Sequence, residues 1–381
     1  MMVSRPIHDR SKSRKTSTYC VFIIKKINIL FPFSPVLLLT LWFTLCGAAE
    51  PLHSETGTPA VFRSHQAMGT VFELLLFGQT GAVEVNDLEL AADDAFDLLD
   101  RLEQELSNWI EHSPVAVLNR NGWPGPVKVD PVVWEVLQQS RGYWEMTGGA
   151  FDVTVGPLLD VWGFYRKKEG IPSEEKVKQV LDQVGLSKVV MDETSGTVRF
   201  LHPGMRIDFG GIGKGIALDR MAVLLKDRGV RAAKLVGGTS SILVFGTPPK
   251  QKNWKVDIFS PYNRAAGETL ATVYLRDESL STSTASERYM EWKNRKYGHI
   301  FDPETGFPAE TDLVSVTVIA PDAARSDALS TAFFVMGSDG VRRFCGEHPE
   351  TRCVLISDRN RTGKPVVEYV NITPEKDAEH E

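Results

Sequence analysis

The most constraining feature of this chain is a glycine-crowded loop, Gly210–Gly215, between an apolar run ending in Asp208 and a helix-like segment. Glycine tolerates positive φ and has no Cβ, so such a loop can aim backbone N–H and C=O groups at a phosphate or a metal ion. A helix N-terminus adds partial positive charge, so the apparent strand, loop and helix favour a phosphate-bearing ligand. A plain structural turn is the alternative.

Two common glycine motifs do not fit this loop. The P-loop requires Ser or Thr after its lysine, and here Gly215 follows Lys214. The pattern G-x-G-x-x-G, read from Gly211, meets Ile216 where the third glycine belongs. The loop therefore argues against nucleoside-triphosphate and nicotinamide binding.

Residues 1–49 have the composition of a leader. Seven basic residues precede an apolar run, 27–45, that ends in Cys46-Gly47-Ala48-Ala49. This order is typical of a secretory signal, so we expect an exported protein, with cleavage after Ala48 or Ala49. An uncleaved anchor and a lipoprotein cysteine at Cys46 are alternatives, although two prolines interrupt the run and the bulky Leu45 precedes the cysteine.

The charge of the chain argues against a nucleic-acid partner. The formal net charge is −6, and removing residues 1–46 takes away seven basic residues and one acidic residue, which leaves −12. Two cysteines, Cys345 and Cys353, would then remain. They lack the spacing of a metal site, and they form either a disulfide or two buried thiols.

The pattern of apolar residues predicts an α+β fold with mixed sheets, packed helices and a local βαβ unit around the glycine loop. Helices are predicted at 87–106, after the caps Asp130 and Ser173, at 324–336 and at 341–347. We expect a linker at 50–60, one domain at 61–370 and a C-terminal tail at 371–381.

Asp327 and Thr331 lie four residues apart on a predicted helix, so their side chains share one face. A carboxylate and a hydroxyl are hard oxygen ligands of the kind that suits Mg²⁺. The alternative is a carboxylate near the helix N-terminus beside a threonine that bonds to its own backbone.

His299 lies at a strand end and leads into Asp302-Pro303 and a turn at Gly306. An imidazole at a loop mouth can act as a general base near neutral pH, and Asp302 can orient it or serve as an alternative base. A structural hydrogen bond for the histidine and an Asx cap for Asp302 are the competing interpretations.

Six motifs occur in an order and at a spacing that resemble the ApbE family, over about residues 60–360. They are Met68-Gly69-Thr70, Ala150-Phe151-Asp152 with Trp162-Gly163-Phe164, Asp208 to Gly215, Gly237-Gly238, His299 to Gly306 and Asp327 to Thr331. That family comprises FAD:protein FMN transferases, Mg²⁺-dependent flavin transferases of the bacterial envelope. The resemblance implies an ApbE-like fold, a periplasmic location with inner-membrane attachment as an alternative, and acceptors that are subunits of membrane redox complexes.

The resemblance also implies a set of site residues. The implied FAD-lining residues are Met68, Trp109, Ala150, Phe151, Asp152, Asp208, Lys214 and His299. Mg²⁺ would be held by Asp327, Thr331 and the backbone carbonyl of Gly211. Three positions depart from the family pattern, namely Thr239, Thr284 and Gly298, and they bear on adenosine contacts and acceptor docking rather than on the metal ligands.

The predicted reaction is transfer of FMN from FAD to a threonine hydroxyl of an acceptor protein, with release of AMP and with His299 and Asp302 as the candidate catalytic residues. Hydrolysis of FAD to FMN and AMP is the alternative reaction. A non-catalytic FAD store is the alternative of another class, and a purely structural envelope protein would leave the glycine loop and the Asp327/Thr331 pair unexplained.

Overall fold

The computed structural model describes residues 58, 60–78, 84–166, 170–262, 267–284, 288–358 and 363–373. The expected leader, most of the expected linker and most of the expected tail lie outside these ranges. Within them, the structure contains no helix whose length and apolar character would let it cross a membrane.

The described ranges contain the predicted helices and two that were not predicted, Pro114–Asn121 and Gly156–Val161. Along the chain, the α-helices of these ranges are α1 (Val85–Leu106), α2 (Pro114–Asn121), α3 (Pro131–Met146), α4 (Gly156–Val161), α5 (Glu174–Leu181), α6 (Gly213–Asp227) and α7 (Ala323–Glu347). Local caps explain where α3 and α5 begin: the Asp130 carboxylate accepts from Val132 N at 2.8 Å, and Ser173 Oγ accepts from Lys176 N at 3.4 Å.

Helix α7 has two arms, as the two predicted segments require. The arms meet at Gly337, whose φ of 68° and ψ of 174° are not helical. A φ of this size is tolerated by glycine, so this residue interrupts the helix at a kink and lets the second arm continue in a new direction.

The strands form one large sheet and three small ones. In chain order they are β1 (Ala60–Ala67), β2 (Thr70–Phe77), β3 (Val127–Lys128), β4 (Val189–Asp192), β5 (Thr197–Phe200), β6 (Ala232–Gly237), β7 (Ser241–Phe245), β8 (Trp254–Phe259), β9 (Thr269–Leu275), β10 (Ser279–Thr284), β11 (Tyr289–Trp292), β12 (Arg295–Gly298), β13 (Leu313–Ala320), β14 (Arg352–Ser357) and β15 (Val366–Val370). The large sheet has the order β1-β2-β6-β7-β10-β13-β14-β15.

The large sheet is covered on both faces. Apolar residues of α1 and α6 pack with Phe72, Leu74 and Leu76 of β2 in one cluster, and α7 packs in a neighbouring cluster with β13 and β14. The β8–β9 ribbon covers the opposite face, where Val256 and Val273 pack with residues of β7, β10, β13 and β14. The sheet thus holds α6 and α7 side by side.

The α+β class is confirmed, but the predicted βαβ unit is wrong. The strand pairs of all four sheets are antiparallel, and parallel pairing near the loop is limited to an isolated bridge between Val155 and Arg206. The backbone N and O of Ile207, expected to lie in a strand, bond instead to the Asn119 side chain at 2.7 and 2.9 Å. A side-chain amide thus replaces the strand partner.

The two cysteines of the expected mature chain are buried neighbours. Cys345 on α7 and Cys353 on β14 are unbonded thiols with their Sγ atoms 3.6 Å apart. Burial raises the pKa of the Cys353 thiol well above its ordinary value. Of the two interpretations, the structure has the buried thiols.

Candidate active site

The glycine loop meets the N-terminal half of α7 through an unusually close helix contact. A Cβ added to Gly215 would lie 2.2 Å from the carbonyl oxygen of Ala323, so no larger residue fits at this position. The same glycine donates its N–H to Asp327 Oδ2 at 3.0 Å. The close packing of α6 on α7 therefore brings the start of α6 onto the Asp327 carboxylate.

The predicted metal residues lie together at this contact. A Cβ added to Gly211 would lie 3.2 Å from Thr331 Oγ1, and Thr331 is one helical turn from Asp327. Asp327 is only 4% exposed, and its Oδ1 has long contacts, 3.4 Å to Ser241 Oγ and 3.8 Å to Lys214 Nζ. Thr331 Oγ1 also lies 3.4 Å from the Asp327 carbonyl oxygen, which is the backbone bond of the alternative interpretation. A carboxylate and a hydroxyl one helical turn apart are still a donor pair that fits Mg²⁺, and the Gly211 carbonyl would add a third oxygen.

A metal ion at this place would depend on these mixed oxygen donors. Across the described ranges, no group of three or more His, Cys, Asp or Glu side chains is arranged to hold a metal ion. A site with few protein ligands suits Mg²⁺, which keeps waters and substrate phosphates in its coordination shell.

Asp219 is a residue of this region that the sequence analysis missed. From α6, its two carboxylate oxygens accept from Ala323 N at 2.7 Å and Ala324 N at 2.8 Å, so it caps the first turn of α7. Burial raises the pKa of Asp219 to about 6, and the nearby Asp322 and Asp327 carboxylates add to the rise. The residue fixes the helix that carries Asp327.

Asp208 lies at the other end of the loop and bonds to Tyr165, which together with Trp109 forms an aromatic surface called here the aromatic wall. Its Oδ2 accepts from the Tyr165 hydroxyl and from Asn108 Nδ2 at 3.1 Å, and its Oδ1 accepts from Gly210 N at 2.7 Å. Burial and the Asp208 carboxylate raise the pKa of Tyr165 well above its ordinary value, so the hydroxyl remains protonated. Asp208 therefore links the loop to Tyr165, which the sequence analysis did not single out.

Trp109 extends this aromatic wall into solvent. Its ring meets the Tyr165 ring edge-on, with centroids 5.4 Å apart, and the side chain is 65% exposed. The Arg206 guanidinium lies over the Tyr165 ring at 4.7 Å. An exposed indole beside a phenol and a cation provides a surface on which a flat aromatic ligand can stack.

The predicted segment 150–152 lies behind the loop. Phe151 is buried, and its ring would be 3.3 Å from a Cβ at Gly211, whereas Ala150 is half-buried. The Asp152 carboxylate accepts from Thr154 N at 2.7 Å, Thr154 Oγ1 at 2.5 Å and Leu186 N at 2.9 Å. Burial raises its pKa, and its bonds to the chain make it a support for the segment.

Met68 forms the tight turn between β1 and β2. Its φ is 51°, in the left-handed region, and the following Gly69 has a φ of 71°. Its N–H donates to Glu103 Oε1 at 2.8 Å, which ties the turn to α1. Positive φ at both central residues is what a two-residue hairpin loop requires, so the turn itself accounts for this conformation, and a role for Met68 in binding stays a prediction.

His299 is held by the backbone at the base of a hairpin. Its N and its Nδ1 both approach the Arg288 carbonyl oxygen, at 3.2 and 3.0 Å. Because a carbonyl can only accept, Nδ1 carries the proton and Nε2 carries the lone pair of the neutral ring. The bond thus selects the tautomer that a general base at Nε2 requires.

Asp302 has the geometry of the Asx cap that the sequence analysis weighed as an alternative. Its Oδ1 accepts from Glu304 N at 2.9 Å and its Oδ2 accepts from Thr305 Oγ1 at 3.0 Å. Both oxygens are therefore engaged in the turn that ends at Gly306. A catalytic role for Asp302 stays a prediction.

Comparisons with known proteins agree with this fold and these motifs. A family model described as the ApbE family matches residues 68–355. A protein of Treponema pallidum named FAD:protein FMN transferase is 31% identical over 81% of this chain and 88% of its own length. A protein of Salmonella typhimurium with the same name is 29% identical over 84% of this chain and 96% of its own length.

Solved structures agree as well. The ApbE protein of Thermotoga maritima is 28% identical and superimposes with a TM-score of 0.72 over 81% of this chain and 96% of its own. The apo form of the Pseudomonas stutzeri flavinyl transferase ApbE gives a TM-score of 0.73 over 82% of this chain and 95% of its own, at 23% identity, and shows the shared fold. The chain is therefore an enzyme of the transferase class and belongs to the ApbE family.

Proposed function

We propose that this protein is a Mg²⁺-dependent FAD:protein FMN transferase that moves FMN from FAD to a threonine hydroxyl of an acceptor protein and releases AMP. The observation that carries the proposal is the meeting of the glycine loop with α7. There, Gly211 lies against Thr331, Gly215 N donates to Asp327, and Lys214 Nζ is 3.8 Å from Asp327. The names of the relatives support the same reaction.

The proposed reaction exchanges the phosphoanhydride bond of FAD for a phosphate ester bond to threonine. The threonine oxygen bonds to the phosphorus on the FMN side of the FAD pyrophosphate, and the bond from that phosphorus to the bridging oxygen breaks. The bridging oxygen leaves with AMP, and the hydroxyl proton passes to a base and then to solvent. In such phosphoryl transfers, a protein acts mainly through positioning and charge stabilisation.

Asp327, Thr331 and the Gly211 carbonyl are the residues that would hold Mg²⁺. When bound, the ion would supply positive charge against the pyrophosphate oxygens. Lys214 adds a further positive charge at the same place, since it lies at the first turn of α6. The N-terminus of α6 is itself favourable for an anion.

The FAD itself would lie along the loop between the aromatic wall and the α6 N-terminus. The residues that we propose to line it are Met68, Trp109, Ala150, Phe151, Asp152, Asp208, Lys214 and His299. The exposed Trp109 ring beside Tyr165 offers a stacking surface for a flat ring. Phe151 and Asp152 would act indirectly. The Phe151 ring packs against Gly211 and so positions the loop, and the Asp152 carboxylate holds the fold of segment 150–152.

His299 is the proposed base that removes the hydroxyl proton. Its Nδ1 donates to the Arg288 carbonyl, so Nε2 carries the lone pair that accepts a proton. Asp302 would support this role through the turn that follows His299, since both of its oxygens bond within that turn.

We propose export to the bacterial periplasm, with inner-membrane attachment as an alternative, and acceptors that are subunits of membrane redox complexes. Hydrolysis of FAD to FMN and AMP is the second candidate reaction, because water can take the place of the threonine. A non-catalytic FAD store is less well supported, since storage has no need of a carboxylate and a hydroxyl that would hold a metal ion.

One assay separates the three. The mature protein is incubated with FAD, Mg²⁺ and a threonine-containing acceptor peptide, and AMP release is followed beside the peptide mass. AMP with a peptide that gains one FMN supports transfer, and AMP with free FMN supports hydrolysis. FAD that stays intact contradicts both enzymatic proposals.

A further inference from the structure

The β11–β12 hairpin, Tyr289–Gly298, presents aromatic and cationic side chains to solvent. Tyr289 is 43% exposed and Trp292 is 38% exposed. Residues 288–298 contain four cationic side chains and one anionic side chain, in a chain whose net charge is −6. This segment therefore differs in charge from the chain as a whole.

One face of the hairpin is anchored to the protein. Met290 and Tyr297, paired across the two strands, pack on an apolar cluster, with the Tyr297 and Trp162 ring centroids 5.6 Å apart. The Trp292 ring covers Gly170, where an added Cβ would be 3.5 Å away. The hairpin thus packs against the rest of the protein through one face, at Met290, Trp292 and Tyr297.

Cationic side chains lie beside aromatic rings along the hairpin, at Tyr289 on the outward face and at the exposed edge of Trp292, whose ring also covers Gly170. Lys296 Nζ lies 4.2 Å from the centroid of the Tyr289 ring, and Lys293 Nζ lies 5.9 Å from that of Trp292. Arg295 is paired with Glu310 at 2.5 Å, and the exposed Glu291 lies opposite Lys296 in the register of the two strands. The two lysines therefore leave an excess of one positive charge over Glu291. Such pairs hold the ammonium groups over apolar surface while they face solvent.

The base of the hairpin is the element that holds His299. Tyr289 pairs with Gly298, and the next residues outward from this pair, Arg288 and His299, are joined by the two bonds from His299 to the Arg288 carbonyl. A molecule seated on the hairpin is therefore adjacent to the proposed base. Small molecules bind mainly in concave pockets, whereas proteins bind on extended surfaces, so an exposed hairpin fits a protein substrate better than FAD.

We propose that the β11–β12 hairpin docks an acidic segment of the acceptor protein and so delivers the acceptor threonine to His299. This inference rests on the proposed function and names the chemistry of its second substrate. Complementary charge across an interface chiefly raises the association rate and selects the partner, and aromatic side chains supply contact area. The hairpin ends at His299, the proposed base, and a protein acceptor must bring its threonine to that base. A membrane surface has no such requirement, so the position of the hairpin favours a protein occupant.

The test compares two labelled peptides, one with a central threonine flanked by aspartates and one with asparagines in their place. Binding is measured by fluorescence anisotropy with the full mature protein, in parallel with AMP release and peptide mass. The test variant is K293E/K296E. The control is K226E/K255E, which makes the same charge change at two exposed lysines, one of which, Lys226, also lies over an aromatic ring, at 5.0 Å from Phe245.

We expect the wild-type protein and the control to bind the aspartate peptide about tenfold more tightly than the asparagine peptide, and K293E/K296E to lose this preference. High salt should reduce the preference in the same way. Equal binding of both peptides by the wild-type protein, or an unchanged preference in K293E/K296E, would overturn the inference. Vesicles of phosphatidylcholine with phosphatidylglycerol test the other occupant: loss of vesicle binding in K293E/K296E with an unchanged peptide preference assigns the hairpin to membranes.

The two proposals fail separately in this design. Absence of AMP release and of FMN-modified peptide in the wild-type protein contradicts the proposed function, while the anisotropy comparison still decides whether the hairpin binds acidic segments. FMN transfer with no preference for aspartates supports the function and contradicts the docking surface.

Discussion

The two ends of the candidate site are built in different ways. Asp327 is almost completely buried at a helix contact so close that a Cβ on Gly215 would lie 2.2 Å from a backbone oxygen. His299 lies instead at the base of a solvent-exposed hairpin, where its N and Nδ1 bond to the Arg288 carbonyl. The Asp327 end is thus positioned by the packing of two helices, and the His299 end by contacts at the base of a hairpin. Rigid placement suits an ion site, whereas an open edge suits the entry of a large substrate.

The largest expected effect is at the metal end. Asp327→Ala should lower FMN transfer on the order of 10³-fold, because it removes the charged ligand and leaves Gly215 N without its acceptor. Asp327→Asn keeps an oxygen for Gly215 N and removes the charge, so it should lose activity while it retains the melting temperature. Initial rates across a Mg²⁺ titration measure both variants. Full Mg²⁺-dependent turnover by Asp327→Asn would contradict the metal assignment.

The next effect is at the histidine end. His299→Ala should lower kcat on the order of 10²-fold, since it removes the proposed base, whereas Asp302→Asn should cost only a few-fold, because Asp302 caps a turn. The pH profile of kcat should lose its acid limb in His299→Ala and keep it in Asp302→Asn. If Asp302→Asn lowers kcat as much as His299→Ala does, Asp302 acts directly on the reaction and not through the turn.

A third prediction concerns the close helix contact alone. Gly215→Ala should lower the free energy of unfolding by about 2–3 kcal/mol, because the added Cβ forces α6 and α7 apart. Gly142→Ala, on α3 with nothing within 4 Å of the added Cβ, is the matched control and should raise stability by up to about 1 kcal/mol. Urea denaturation measures both. Equal stability of the two variants would show that the contact is not tight in solution.

The last expected effect, spread over about two pH units, is a dependence of stability on pH at the α6–α7 contact. Burial raises the pKa of Asp219 from 3.8 to about 6, so between these pH values the folded state keeps a proton that the unfolded state releases. Stability from this group is therefore present below about pH 4 and is lost as the pH rises to about 6, on the order of 1 kcal/mol per pH unit. Asp219→Asn should flatten this fall in urea denaturation between pH 4 and 7. An unchanged slope would mean that Asp219 does not titrate in this range.

Part of this site could be predicted from the sequence because it is encoded locally. Asp327 and Thr331 are one helical turn apart, and the caps Asp130 and Ser173 mark their helices within three residues. Such features depend on the spacing of residues along a helix and on cap residues next to its first turn, and both can be recognised from the sequence.

Strand β10 could not be predicted from the sequence, because its burial depends on partners that are distant in the chain. Strand β10 is rich in Ser and Thr, which do not give an apolar pattern, yet it lies in the centre of the large sheet. Two of its buried serines meet serines of α7: Ser279 Oγ lies 3.0 Å from Ser326 Oγ, and Ser283 Oγ lies 2.9 Å from Ser330 Oγ. Thr282 Oγ1 meets Thr317 Oγ1 of β13 at 2.8 Å. A polar strand can be buried when another element supplies its hydrogen bonds, and the sequence does not say which element does so.

The sequence by itself therefore determined the family, the order of its motifs, most helix boundaries and the identity of the predicted ligands, because these are properties of neighbouring residues. The tertiary structure alone decided that Gly211 lies against Thr331, that Asp219 caps α7, and that Tyr165 bonds to Asp208. It also decided that Ile207 bonds to Asn119 rather than to a strand. These contacts join residues tens of positions apart, and the packing of α6 and α7 on the large sheet brings them together.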